Sequence, residues 1–203
     1  MGEHGAGTVF FSGCNLRCCF CQNGPISQGE VGKPVTAERL REIFRELIAQ
    51  GAACLDLVTP THFTPVILEA LGDEPWPVPV VWNCGGYEKP ETLRLLEGRV
   101  QVYLPDLKYA LPGPAKKYSA AEDYFDWASA AILEMFRQTG PYRMENGLLT
   151  KGVLIRHLLL PGELENTRRV IDWVAETFKP GDVLFSLMSQ YTPQPGAAGN
   201  LAR

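Results

Sequence analysis

The sequence predicts an α/β chain in which about six βα units build a parallel sheet covered by helices. Three observations point there: six short apolar, β-branched runs, helical stripes in the intervals between them, and runs too uniformly apolar for a half-solvated sheet. The 203 residues suit one domain. They fall short of the ~250 usual for a closed (β/α)8 barrel. An open (β/α)6 partial TIM barrel fits that arithmetic, and in either an open or a curled form ligands bind just past the C-terminal ends of the strands.

Residues 8–12 (Thr-Val-Phe-Phe-Ser) form the first run and stop at Gly13, as a buried strand does. The others lie at 54–58, 78–82, 100–104, 153–160 and 183–187. Between them Leu40, Ile43, Phe44, Leu47 and Ile48 share one helical face, as do Tyr124, Ala128, Ile132, Met135 and Phe136. Val170, Val174 and Phe178 repeat the stripe after the fifth run, and shorter apolar stretches at 66–68 and 93–96 fill the remaining intervals. Two intervals hold surplus chain. The first contains a cysteine-rich loop running to Gly29; the second, 111–147, holds an added helix and a polar turn at Glu145-Asn146-Gly147. The stretch 194–199 reads as a frayed tail.

With 45% hydrophobic and 21% charged residues the chain can bury a real core. Its net charge of -4 is too mildly acidic for a nucleic-acid binder or a polybasic membrane tether. No run approaches a membrane-spanning length, and the opening Met-Gly-Glu-His-Gly lacks the basic and apolar regions of a signal peptide, so a soluble cytoplasmic protein is expected.

Four of the six cysteines crowd between positions 14 and 21, too tight for a disulfide framework and characteristic of metal ligation in a reducing compartment. Cys14-x-x-x-Cys18-x-x-Cys21 sits directly after the first strand. Three thiolates on one loop can hold three irons of a 4Fe–4S cube and leave the fourth open to a substrate or cofactor. Structural zinc would want four ligands, and the rest of the chain offers only Cys54, Cys84 and three histidines. Cys19, the extra thiol, and Cys84 are expected to turn into the core as small apolar residues.

The pattern Cys14-x-x-x-Cys18-x-Phe20-Cys21 after a first barrel strand resembles the signature of radical S-adenosylmethionine (SAM) enzymes. The longer texts at 8–18, 57–62 (Leu-Val-Thr-Pro-Thr-His), 104–108 (Leu-Pro-Asp-Leu-Lys) and 187–191 (Leu-Met-Ser-Gln-Tyr) are similar to a branch related to pyruvate formate-lyase activating enzymes. The resemblance implies a single radical SAM core over 1–203, shorter at both ends than that branch, with 189–203 as the tail. It implies a 4Fe–4S cluster on Cys14, Cys18 and Cys21, SAM as cofactor, and reductive cleavage to a 5′-deoxyadenosyl radical. The expected target is a glycine of a partner glycyl radical enzyme or a peptide, with flavodoxin or ferredoxin as reductant. The alternatives are a radical SAM reaction on another peptide or a small metabolite, or a non-catalytic iron–sulfur or zinc carrier.

Residue roles follow strand ends. Where such enzymes often carry Gly-Gly-Glu after the second strand, this chain has Thr59-Pro60-Thr61-His62; Thr59 and Thr61 are candidate SAM contacts and His62 a candidate catalytic residue. Asn83, before Gly85-Gly86, is expected to contact SAM, and the resemblance makes Phe20 a further cofactor-binding candidate. Asp106 and Lys108 bracket Leu107 so that both side chains point the same way, and are the remaining catalytic candidates. Arg156 is a charge within an apolar strand and needs a partner; its planar fork suits the SAM carboxylate, or else Glu163 or Glu165.

Overall fold

The computed structural model describes residues 5–29, 31–194 and 201. Six strands run parallel in the spatial order β1 (Gly7–Phe10), β2 (Leu55–Val58), β3 (Val80–Cys84), β4 (Val102–Pro105), β6 (Leu148–Leu158) and β7 (Leu184–Met188). A seventh, β5 (Arg143–Glu145), pairs antiparallel with the start of β6. The helices are α1 (Gly24–Ser27), α2 (Ala37–Ala49), α3 (Thr64–Leu71), α4 (Pro90–Arg94), α5 (Pro112–Ser119), α6 (Tyr124–Thr139) and α7 (Leu164–Thr177). Among the described residues β1 pairs only with β2 and β7 only with β6, so the barrel is open. This is the six-unit α/β architecture the sequence predicts.

Strand periodicity sorts side chains between two environments. Leu55 and Leu57 are fully buried in the core, each burial stabilising by roughly 2 kcal/mol, while the alternate positions Asp56 and Val58 face the central cavity. On β6, Val153, Ile155 and His157 are likewise buried, and Arg156 and Leu158 face the cavity. Helix α2 begins where Thr36 caps it, its side chain accepting from the Arg39 amide at 3.1 Å; Leu40 and Phe44 then bury its apolar face.

The second surplus interval holds the expected added helix, α5, ahead of the α6 stripe. Both α5 and α6 lie there, followed by a β5–β6 hairpin turning at Asn146-Gly147, both at positive φ. At the C-terminus Tyr191 donates to the carbonyl of Leu201, and Leu201 is buried. The remainder of the predicted tail, 195–200 and 202–203, lies outside the described residues.

Candidate active site

The C-terminal ends of the strands surround a cavity of about 470 Å3. Cys14, Cys18, Phe20 and Cys21 form one wall, on the loop leaving β1. That loop is nearly without regular structure, so its shape depends on anchors. The Cys19 amide donates to the Tyr118 carbonyl at 2.9 Å, the Arg17 amide to the Ser119 carbonyl at 3.4 Å, and Gln28 Nε2 to the Cys18 carbonyl at 3.0 Å. The end of α5 thus clamps the middle of the loop.

Each of the three sulfurs lines the cavity and has a polar neighbour. The Leu16 amide donates to Cys14 Sγ at 3.4 Å, Ser119 Oγ donates to Cys18 Sγ at 2.9 Å, and Cys21 Sγ lies 3.1 Å from Ser27 Oγ. Burial raises the Cys14 and Cys18 thiol pKa values, opposed by the nearby Lys108 ammonium; a charge on one of these sulfurs is felt by the others. Three soft donors facing one cavity, with a cation beside them, fit a cluster held at three corners. Among the described residues no three His, Cys, Asp or Glu side chains converge on a single metal ion; a 4Fe–4S cube asks for one thiolate on each of three irons instead.

Cys19 does not enter the core. It is exposed, because the turn that aims Cys18 and Cys21 at the cavity leaves the intervening thiol facing outward. Cys84 is buried, in keeping with its expected place as a small core residue, although it also borders the cavity.

Opposite the cysteines, polar side chains from adjacent strands join in a network. Arg156 Nη2 donates to Asp106 Oδ1 and to Asn83 Oδ1, both at 2.8 Å, and Asn83 Nδ2 donates to Asp56 Oδ1 at 3.2 Å. Lys108 Nζ donates to Asp106 Oδ2. Arg156 therefore pairs within the site and not with Glu163 or Glu165, and its Nε is buried without a protein partner. Burial alone would push the Asp106 carboxyl up, yet Lys108 and Arg156 hold it below the usual carboxylate range. Burial pushes Asp56 up despite its Asn83 contact.

The segment after β2 splits. Thr59 lines the cavity with its backbone at φ 59, a left-handed conformation unusual for a β-branched residue, and its amide donates to the Asn83 carbonyl at 2.9 Å. Thr61 and His62 do not line the cavity. The chain enters a 3-10 turn, Thr61–Phe63, which swings both away: Thr61 Oγ1 donates to Glu88 Oε1 at 2.5 Å, and His62 Nε2 lies 2.6 Å from the Ser12 carbonyl, its ring against Phe63. Glu88 is buried, which pushes its carboxyl up to about 7. His62 thus braces the start of the loop leaving β1 and is not placed to act on a molecule in the cavity.

Gly86 is required by close approach. At φ +80, a Cβ there would lie 2.1 Å from the Asp106 carbonyl oxygen and 2.9 Å from Tyr124 Oη. Tyr124, fully buried, ties the exits of β3 and β4 together: its hydroxyl accepts from the Lys108 amide at 3.0 Å and is 2.8 and 2.7 Å from the Gly85 and Asp106 carbonyls. His157 completes the brace. Burial lowers its pKa, and as a neutral ring its Nδ1–H donates to the Leu107 carbonyl while Nε2 accepts from Thr167. Tyr124→Phe is expected to lower stability by about 1–2 kcal/mol, read as a reduced urea midpoint, because the Lys108 amide loses its acceptor. No change in midpoint would mean that these exits do not depend on the hydroxyl.

The comparisons with known proteins agree with this geometry. Residues 2–63 match the family described as a 4Fe-4S single cluster domain. The chain is 31% identical over 199 residues to the uncharacterized protein MJ0674 of Methanocaldococcus jannaschii, covering 92% of this chain and 54% of that protein. It thus spans about half the length of that relative. Among solved structures it is similar to Streptococcus suis SuiB bound to S-adenosylmethionine (TM-score 0.55, 12% identity, 93% of this chain and 43% of that one). It is also similar to SuiB bound to its precursor peptide SuiA (0.55, 12%, 85% and 37%) and to HydG, a maturase of the FeFe-hydrogenase (0.54, 16%, 91% and 43%). At these identities the likeness concerns the fold: the chain has the partial-barrel core expected from the sequence. No helix among the described residues is long and apolar enough to cross a membrane.

Proposed function

We propose that the protein is a radical SAM enzyme, holding a 4Fe–4S cluster on Cys14, Cys18 and Cys21 with SAM beside it in the cavity. The observation that carries this is the joint placement of the three thiols and the Asn83–Asp106–Lys108–Arg156 network around one cavity at the strand C-termini. The matched 4Fe–4S domain family over 2–63 supports the cluster, and likeness to a SAM-bound SuiB supports the nucleoside. A cluster held by Cys14, Cys18 and Cys21 would supply the one electron that cleaves SAM reductively, and with it the power to take a hydrogen atom from the substrate.

The chain's own residues do the rest. Lys108, charged beside Cys14 and Cys18, offsets the negative charge gathered by three thiolates. Arg156 presents donors to a carboxylate, while Asn83 and Thr59 present polar groups from neighbouring strand ends. Phe10, Phe20, Leu158, Leu160 and Met188 make much of the remaining wall apolar, which keeps water from the reacting atoms.

The target we assign is a backbone glycine of a partner protein, oxidised to a glycyl radical, with flavodoxin or ferredoxin as electron donor. The supports are the similarity of residues 8–18, 57–62, 104–108 and 187–191 to activating enzymes and the open side of the barrel. There Phe10 of β1 and Met188 of β7 lie at the cavity. Anaerobically reconstituted protein given dithionite and SAM is expected to release 5′-deoxyadenosine; an intact cluster without that product would make the protein a carrier. A glycine-type EPR doublet on a co-incubated glycyl radical enzyme tests the finer assignment. Adenosyl product without any doublet across such partners would move the target to another peptide or a small metabolite.

A further inference from the structure

We infer that Ser119, backed by Tyr109, is a positioning residue that sets the reduction potential of the cluster bound at Cys14, Cys18 and Cys21; this rests on the cluster reading above. Ser119 stands 101 positions from Cys18 in sequence, yet its hydroxyl donates to the Cys18 sulfur at 2.9 Å, and its residue is only 2% exposed. Cys18 is itself buried. Water cannot substitute for this donor.

The direction of both hydrogen bonds in the relay follows from chemistry. A thiolate bound to iron carries no proton, so Ser119 must be the donor to Cys18. Ser119 has one proton and spends it on sulfur; the Tyr109 hydroxyl, 2.7 Å from Ser119 Oγ, must then donate to that oxygen. Tyr109 is fully buried, and burial pushes its pKa far above the ordinary phenol value, so it stays protonated as a donor. A donor whose own oxygen accepts a hydrogen bond is polarised and becomes stronger.

The hydroxyl is also held rigidly. Ser119 ends α5, Ala120 follows in the left-handed conformation at φ 54, and the carbonyls of Tyr118 and Ser119 receive the Cys19 and Arg17 amides. The helix end and the cysteine loop are thereby locked in one register around the Ser119–Cys18 contact. A hydrogen bond to a ligating sulfur stabilises the more negative, reduced cluster more than the oxidised one, so it raises the potential. The effect is electrostatic and requires no change in ligand number.

The test is an EPR-monitored redox titration of the reconstituted protein, with iron and sulfide content measured in parallel. Ser119→Ala is expected to keep its iron and shift the midpoint to more negative potential by about 59 mV, equal to about a tenfold change in the reduction equilibrium for one electron. Ser119→Thr, which keeps a hydroxyl, should restore the wild-type midpoint. Tyr109→Phe should shift it in the same direction by less. A fully loaded Ser119→Ala protein with the wild-type midpoint overturns the inference. Should Ser119→Ala fail to load, Tyr109→Phe decides: a loaded protein with an unshifted midpoint also overturns it. Wild-type protein that assembles no 4Fe–4S cluster at all overturns the cluster reading and this inference with it, and iron content separates that outcome from the others.

Discussion

Alanine at Cys14, Cys18 or Cys21 is expected to abolish iron loading, from about four irons per reconstituted chain to a trace, whereas Cys19→Ala keeps nearly all of it. The three cysteines line one cavity from a single loop, whereas the other cysteine at that cavity, Cys84, is held buried at the end of β3, so none of the three has a ready substitute when it is lost. Cys19 is exposed on the outer side of the same turn. Reaching the cavity would require breaking the hydrogen bond that its amide donates to the Tyr118 carbonyl and turning the loop over. Iron determination and the visible absorbance of anaerobically reconstituted variants check this. Equal loss at Cys19 would show that the ligand trio is different.

The contrast between Cys19 and its neighbours shows which parts of the site were legible in sequence. Spacing singled out Cys14, Cys18 and Cys21 as ligand candidates, because three thiols on one short loop have few other uses, and all three line one cavity. The place of Cys19 could not be read from the average burial of cysteine, since a turn that points residues 18 and 21 one way leaves residue 19 no choice. The same limit applies to Thr61 and His62. Both follow a strand end, where ligands gather, but a 3-10 turn beginning at Thr61 carries them off to Glu88 and Ser12.

The six parallel strands were legible because burial on both faces demands near-continuous apolar runs. The hairpin strand Arg143–Glu145 was not: its three residues are all exposed and pair with one neighbour, so no apolar pattern marks them. Asp56 was missed although the signal was present. A carboxylate inside Leu55-Asp56-Leu57-Val58 is the same anomaly that drew attention to Arg156, and the two residues are linked through Asn83. Ser119 carried no sequence signal, since its sulfur partner lies 101 positions away, and the stripe that placed Tyr124 in the core said nothing of the strand exits its hydroxyl joins.

Arg156→Ala is expected to weaken SAM binding by about 100-fold, equivalent to about 2.7 kcal/mol, while leaving iron content unchanged. The guanidinium spends Nη2 on Asp106 and Asn83; its Nε is buried without a partner, and the side chain lines the cavity. A cation so placed presents unused donors to an incoming carboxylate, and a charge-assisted contact there is not shared with water. Removing the side chain deletes that contact and frees Asn83 to reorient toward Asp56, its remaining partner. Asp106 keeps Lys108, so the fold tolerates the change better than an unpaired buried carboxylate would allow. Arg156→Lys should recover only part of the affinity, because an ammonium cannot offer the planar two-donor edge. Equilibrium binding of SAM to cluster-loaded protein measures both variants. Wild-type affinity in Arg156→Ala, with full iron, would confine Arg156 to holding Asp106 and Asn83 in place and would move carboxylate recognition elsewhere in the cavity.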